Sequence, residues 1–228
     1  LPILVISLKE FFNNTIRSKK DLQTHSNIPI LGLIGHSDKL TSLIVPKNSK
    51  SVLSESFRSL RTNIQYLAVD KTKKVITVSS SIGGEGKTFC SMNIASIFAL
   101  SGKKTVLIGA DLRKPKLELE FKSENKSGLS NYLINKSTLK EITNKTEVEN
   151  LDIIFSGPTP PNPAELLDST KMQELIKKLN IEYDYVIIDT PPIGLVTDGV
   201  ILMKNADINL YVVRHNYTKY QALSVVNG

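Results

Sequence analysis

Apolar positions along this chain follow two alternating patterns. Short, mostly apolar runs occur at Val75–Ser79, Thr105–Ile108, Leu151–Phe155, Tyr185–Asp189 and Ile208–Val213. Between them, over 51–69, 87–100, 129–142, 163–180 and 197–204, apolar residues recur at the three- and four-residue spacing of a helix with one buried face. Strands apolar on both faces, separated by helices, predict an α/β fold with a mostly parallel sheet flanked by helices on both faces. In such folds crossovers are right-handed, and ligands gather beyond the carboxyl ends of the strands. "NIPILGLIG" at 27–35 reads as a further short strand and "VPKNSK" at 45–50 as a linker. A last helix starts near Thr218, and a C-terminal portion beyond Gly228 is expected.

A chain of 228 residues can bury one sizeable core, and 40% hydrophobic with 22% charged residues is an ordinary globular composition. The single cysteine, Cys90, excludes an internal disulfide framework; in its apolar helical stretch it reads as a buried thiol of a reducing compartment. His25, His36 and His215 have no metal-ligand spacing, so metal chemistry would use oxygen ligands. The net charge of +7 is unevenly placed: residues 1–74 carry 12 Lys/Arg against 5 Asp/Glu, whereas 75–228 carry 17 of each. A neutral core argues against nucleic acid as a partner, and the basic N-terminal part suits an anionic surface. The opening "LPILVISL" is too short for a membrane span, which takes about 20 apolar residues. With Arg17, Lys19 and Lys20 behind it, it reads either as the end of a transmembrane helix with a cytoplasmic flank or as an ordinary amphipathic helix.

Chemistry enters with "VITVSSSIGGEGKT", a β-branched strand running into "SIGGEGKT" and then a helix, which is a P-loop in its proper context. Gly83, Gly84 and Gly86 let main-chain N–H groups close on phosphate oxygens, and Glu85 among them is counted with the ATP-binding residues. Lys87 can reach the β- and γ-phosphates of ATP, and the Thr88 hydroxyl can ligate Mg²⁺. Ser81 replaces the usual first glycine. A second signal, "YDYVIIDTPP", ends an apolar strand in Asp189, the Walker B arrangement that holds Mg²⁺, often through water.

Together "ESFRSLRTNI", "GGEGKT", "ADLRKP", "GPTPPNPAELLDS" and "YDYVIIDTPP", in this order, resemble the cytoplasmic domain of bacterial tyrosine kinases, the BY-kinases, over about residues 50–216. The resemblance implies a P-loop ATPase fold, ATP/ADP and Mg²⁺ as ligands, and transfer of the γ-phosphate to tyrosine. It implies autophosphorylation of a C-terminal tyrosine cluster between neighbours in a ring-like homo-oligomer. It also implies a link to capsular and extracellular polysaccharide synthesis and export. Residues 1–50 then form a juxtamembrane leader and linker, and 51–228 the kinase domain without its tyrosine tail. Expected partners are further copies of the chain, its own transmembrane and extracytoplasmic chain-length regulator region, and a cognate tyrosine phosphatase, at the cytoplasmic face of the bacterial plasma membrane. Partitioning and division-site ATPases share the fold but carry an extra lysine early in the P-loop, where this chain has Ile82.

The family's third nucleotide motif, Asp-x-Asp-x-Arg, maps onto Gly109–Arg113. Asp111 and Arg113 match, and Asp111 is a further candidate for the metal. Gly109 stands where the resemblance places the acceptor of the tyrosine proton. Asp111 does not simply replace it, because two residues along a strand is ~7 Å. ATP binding is therefore expected to survive while phosphotransfer is weakened. A glycine required by packing, an engineered change and a natural one all remain open.

On the helix at 51–69, Glu55, Arg58 and Arg61 form one band, with Phe57, Leu60, Ile64 and Leu67 opposite. From spacing alone the band is a solvated charged face; the resemblance makes it the subunit contact. Tyr66, Tyr132, Tyr183, Tyr185 and Tyr211 read as structural. Arg214 and Asn216, past the last strand, are positioned to meet the adenine or ribose of ATP.

Overall fold

The computed structural model describes residues 14–36, 43–47, 50–67, 74–123 and 127–224. Its strands are β1 (Lys74–Ser80), β2 (Thr105–Gly109), β3 (Thr143–Lys145), β4 (Leu151–Ile154), β5 (Tyr185–Asp189) and β6 (Ile208–Val212). They form one sheet in the order β3-β4-β2-β5-β1-β6, parallel throughout except for the antiparallel β3–β4 pair. The helices are α1 (Lys19–His25), α2 (Ile44–Lys47), α3 (Val52–Leu67), α4 (Lys87–Ala99), α5 (Leu117–Glu120), α6 (Leu129–Leu133), α7 (Leu139–Ile142), α8 (Pro163–Asp168), α9 (Thr170–Glu182) and α10 (Asp198–Met203).

Side-chain alternation along the strands divides the core in two. Ile76, Val78, Leu107, Ile153 and Ile187 pack with Phe57 and Ile64 of α3 and Met92 and Phe98 of α4. Val75, Val106, Ile108, Val186 and Ile188 pack on the other face with Leu175, Ile176 and Leu179 of α9. Complete burial of each such side chain contributes about 1.5–3 kcal/mol, so both helical layers are held mainly by these strands. Ser54, Phe57, Leu60 and Ile64 are the buried positions of α3. Leu67, expected on that face, lies in the last turn outside this packing and is 55% exposed.

Several sequence expectations change. The stretch 129–142 is two short helices separated at Asn135, whose φ of 60° interrupts the helical run. The stretch 163–180 breaks at Ser169, which has extended ψ and accepts a hydrogen bond from Met172 N at 3.2 Å, capping α9. Residues 27–35 form no strand: Leu31 O accepts from Asn63 Nδ2 of α3 at 2.7 Å, and Leu31 and Ile34 pack on the core. The linker read at 45–50 begins inside α2, and the helix expected near Thr218 opens as a 3₁₀ turn at Tyr220–Leu223 followed by helical Ser224, its continuation lying outside the described residues. Edge strand β3 was not foreseen, because "TNK" carries no apolar alternation. Cys90 is half-buried as a residue, but its thiol is enclosed as expected: burial pushes its pKa up to about 12, and it packs against the core cluster of α4.

The leader's apolar start lies outside the described residues. What is described of it leans on the C-terminal loops. Helix α1 has no buried residue; Ser18 and Asp21 form a capping box, and His25 stacks on Tyr220 at 4.2 Å. No described helix is long and apolar enough to cross a membrane.

Asn93 ties α2 to α4. Its Oδ1 accepts from Ile44 N at 2.9 Å and Val45 N at 3.0 Å, both fully buried residues. Asn93→Leu leaves two buried N–H groups unpaired and is expected to destabilise the protein by about 2–4 kcal/mol in urea denaturation, with the midpoint lowered.

A candidate phosphate site at the strand ends

Sheet register builds this site. Val78 of β1 pairs with Asp189 of β5, and Asp189 pairs with Gly109 of β2, so the loop after β1 lies beside both strand ends. Between β1 and α4 the chain turns sharply: Gly84 has φ 89° and Gly86 φ 98°, values that side chains resist. Gly86 also occupies the N-cap of α4 and supplies no side-chain acceptor, leaving the first-turn amides to a ligand.

Lys87 opens α4 and is nearly enclosed. Its Nζ stands 2.9 Å from Asp111 Oδ2 and 3.9 Å from Asp189 Oδ1. Asp189 also accepts from Thr88 Oγ1 at 2.8 Å and Ser91 Oγ at 3.1 Å, while Asp111 Oδ1 accepts from Lys114 N at 3.1 Å. Burial pushes the Asp189 carboxyl above the usual carboxylate range, and the Lys87 ammonium and the two hydroxyls pull it back. Any phosphate must compete with Asp111 for this ammonium. Thr88, Asp189 and Asp111 offer the oxygen donors that suit Mg²⁺. Among the described residues no group of three or more His, Cys, Asp or Glu could hold a metal alone, so water and phosphate oxygens would complete such a shell.

The remaining candidates meet through the main chain. Glu85 does not point at a ligand: its carboxylate accepts from Ser81 Oγ at 2.6 Å, Ile82 N at 3.0 Å and the Thr218 hydroxyl, bracing the loop. Arg214 donates from Nη1 to Gly84 O at 2.7 Å, and Tyr217 Oη to Gly83 O at 2.9 Å. The Arg214 guanidinium also lies 5.1 Å from the centroid of the Tyr217 ring. Residues 214–218 thus form a strap over the P-loop, tied in turn to the leader by Ile16 N donating to Thr218 O at 2.8 Å. On α3, Glu55 and Arg58 are ion-paired with each other, and Arg61 Nε is buried without a hydrogen-bond partner.

Sequence reasoning missed Ser91, Asp198, Tyr217 and Thr218. Ser91 lies three residues after Thr88, on the same helix face, a spacing that could have flagged it. Asp198, buried at the start of α10, takes a bidentate pair from Arg113, Nε at 2.8 Å and Nη2 at 3.1 Å, and raises the pKa of the guanidinium. Its position in "VTDG" carries no local signal.

Gly109 sits on the same face as Asp189 and Leu107. A β-carbon there would stand 2.9 Å from Ser156 Oγ, 3.1 Å from Leu117 Cδ1 and 3.3 Å from Ser156 N. Ser156 Oγ donates to Gly109 O at 2.9 Å. The neighbours close in on the glycine.

A glycine loop opening a helix, an enclosed lysine and a strand-end aspartate on a mostly parallel sheet define a P-loop nucleoside triphosphatase fold. Residues 73–225 match the family described as an AAA domain. Tyrosine-protein kinase YwqD of Bacillus subtilis is 42% identical over 178 residues, 78% of this chain and 75% of that protein. The kinase domain of the Escherichia coli tyrosine kinase ETK superposes with a TM-score of 0.86 at 28% identity, covering 92% of this chain and 87% of that one. The division-site protein MinD of Pyrococcus horikoshii, solved with Mg-ADP, reaches only 0.54 at 26% identity, over 61% and 57% of the two chains. The chain belongs to the bacterial tyrosine-protein kinase family.

Loss of the brace tests the loop. Glu85→Ala strands the Ile82 amide and the Thr218 hydroxyl and is expected to lower stability by about 1–3 kcal/mol, read from the denaturation midpoint.

Proposed function

We propose that this chain is an ATP-dependent protein-tyrosine autokinase that regulates capsular or extracellular polysaccharide synthesis and export, weakened by glycine at position 109. One observation carries the reading: the Lys87 ammonium lies between the carboxylates of Asp111 and Asp189, beside the Thr88 hydroxyl, at the mouth of a glycine loop. The amides of Gly83–Thr88 would cradle the ATP phosphates, and Lys87 would neutralise charge on the transferred group. Thr88, Asp111 and Asp189 would hold Mg²⁺, which would screen the phosphate charge. Arg214 lies at the loop rim, where it can meet the nucleoside once its bond to Gly84 O is exchanged. Catalysis of this kind is placement and electrostatic stabilisation, to which a base at the tyrosine hydroxyl adds ~10²–10⁴.

In this reading residues 51–228 are the kinase domain and 1–50 a juxtamembrane leader at the cytoplasmic face of the bacterial plasma membrane. Glu55, Arg58 and Arg61 meet the next copy in a ring-like homo-oligomer, in which the exposed side chain of Glu55 and the partly exposed one of Arg58 are open to a neighbour. The other partners are the chain-length regulator region and a tyrosine phosphatase. Gly109 favours a second reading, a nucleotide-gated oligomerisation module without kinase chemistry, because glycine accepts no proton.

Calorimetry with ATP and Mg²⁺ should show binding by the parent chain and at least about a tenfold loss of affinity in Lys87→Met; no heat with the parent defeats both readings. Phosphotyrosine formation should rise ~10²-fold or more in Gly109→Asp, made with and without Ser156→Ala to give the new side chain room. No phosphotyrosine from the parent or from either background favours the oligomerisation module. Substituting Glu55, Arg58 and Arg61 together by alanine should leave monomers in light scattering; an intact assembly removes the interface role.

A further inference from the structure

Glu118, on α5, has one carboxylate oxygen engaged and one stranded. Oε1 accepts from Ser156 N at 2.8 Å, whereas Oε2 is buried without any hydrogen-bond partner. A desolvated carboxylate oxygen is expensive to leave unpaired, and a catalytic role is one of the reasons, beside strain or a bound water or ion, for which a protein keeps such an atom. This one lies against the strand end that carries Gly109. Ser156 N is 3.3 Å from where a β-carbon at 109 would stand, so the links of 3.3 and 2.8 Å in series keep Glu118 Oε1 within about 6 Å of that point. Leu117, the preceding residue on α5, touches the same point with its Cδ1 at 3.1 Å.

We propose that Glu118 supplies the carboxylate that position 109 does not, and accepts the proton of the attacking tyrosine hydroxyl. The inference rests on the kinase reading above. Asp111 is a poorer acceptor because both of its oxygens are engaged, by Lys87 Nζ and by Lys114 N. Glu118 has a free oxygen, a single tie to Ser156, and side-chain torsions by which it can turn from that tie toward the strand end. In the step, the phenolic oxygen bonds to the γ-phosphorus while the bond from that phosphorus to the β–γ bridging oxygen breaks. The electron pair leaves with ADP, and the phenolic proton passes to Glu118. The neutral acid then releases that proton to water.

The test uses the whole chain, ATP with Mg²⁺, and a synthetic Glu/Tyr copolymer as acceptor, comparing the parent with Glu118→Gln, Gly109→Asp and the double variant. Glutamine can still accept from Ser156 N, so the fold contact survives while the basic oxygen is lost. The expected result is a ~10²-fold fall in phosphotransfer for Glu118→Gln, with ATP affinity by calorimetry within about twofold of the parent, and recovery in the double variant. A Glu118→Gln rate equal to the parent's overturns the assignment. So does a parallel loss of rate and ATP affinity, which would mark a structural role. An inactive parent beside an active Gly109→Asp overturns it too, while leaving the kinase reading intact. ATP binding without phosphotransfer in any variant, Ser156→Ala included, defeats the kinase reading itself.

Discussion

An ammonium enclosed with two carboxylates sets the geometry of this site. Lys87, Asp111 and Asp189 have side chains only 8, 9 and 3% exposed, so water screens none of them well. Removing ions from water costs several kcal/mol apiece unless each is held by an opposite charge and further hydrogen bonds. Thr88, Ser91 and Lys114 N provide those bonds. The cluster is satisfied only if α4 begins where it does and β5 lies between β1 and β2, so sheet register and local electrostatics support each other. It also carries one more negative than positive charge. Under the kinase reading, a phosphate that took the ammonium would release Asp111, whose carboxylate would then be available to a cation arriving with the nucleotide.

The P-loop strap extends this logic outward. Arg214 and Tyr217 donate to the carbonyls of Gly83 and Gly84, while Thr218 donates to the carboxylate that braces the loop from within. Because Ile16 N donates to Thr218 O and Asn216 N donates to Ile16 O at the other side of the strap, the described N-terminal residues and the glycine loop share one connected set of bonds. Movement of the strap therefore cannot be independent of either.

Much of this was legible in the sequence, for identifiable reasons. Five of the six strands announce themselves: β1, β2, β4 and β5 are buried on both faces, so "TVLI" or "YVII" leaves no polar edge to confuse the period, and the partly exposed edge strand β6 keeps an apolar run in "LYVV". That Lys87, Thr88 and Asp189 come together was legible because a glycine loop between strand and helix and an aspartate ending an apolar strand are a recognisable pair of patterns. The breaks at Asn135 and Ser169 were not, since a left-handed asparagine or a serine cap reveals itself only against the neighbours that reward it. Glu85 was counted with the ATP-binding residues from its place in the loop, whereas its side chain turns inward to Ser81, Ile82 and Thr218, the last of which is remote in sequence. Asp198 was invisible for the same reason: 85 positions separate it from Arg113, and no periodicity spans that distance.

Position 109 shows why packing and chemistry need not be rival explanations. Ser156 and Leu117 approach so closely that a β-carbon would displace a serine hydroxyl and the tip of a leucine. Both are movable groups, and overpacking of this size costs about 1–3 kcal/mol, which the fold can absorb. Ser156 N, 3.3 Å away, is backbone and yields less. A side chain at 109 would thus press on the very residue that anchors Glu118, so an acidic group at 109 and the present seat of Glu118 compete for one corner of the site. The chain can hold a carboxylate at the strand end or a carboxylate anchored on Ser156, and it has glycine in the first place and glutamate in the second.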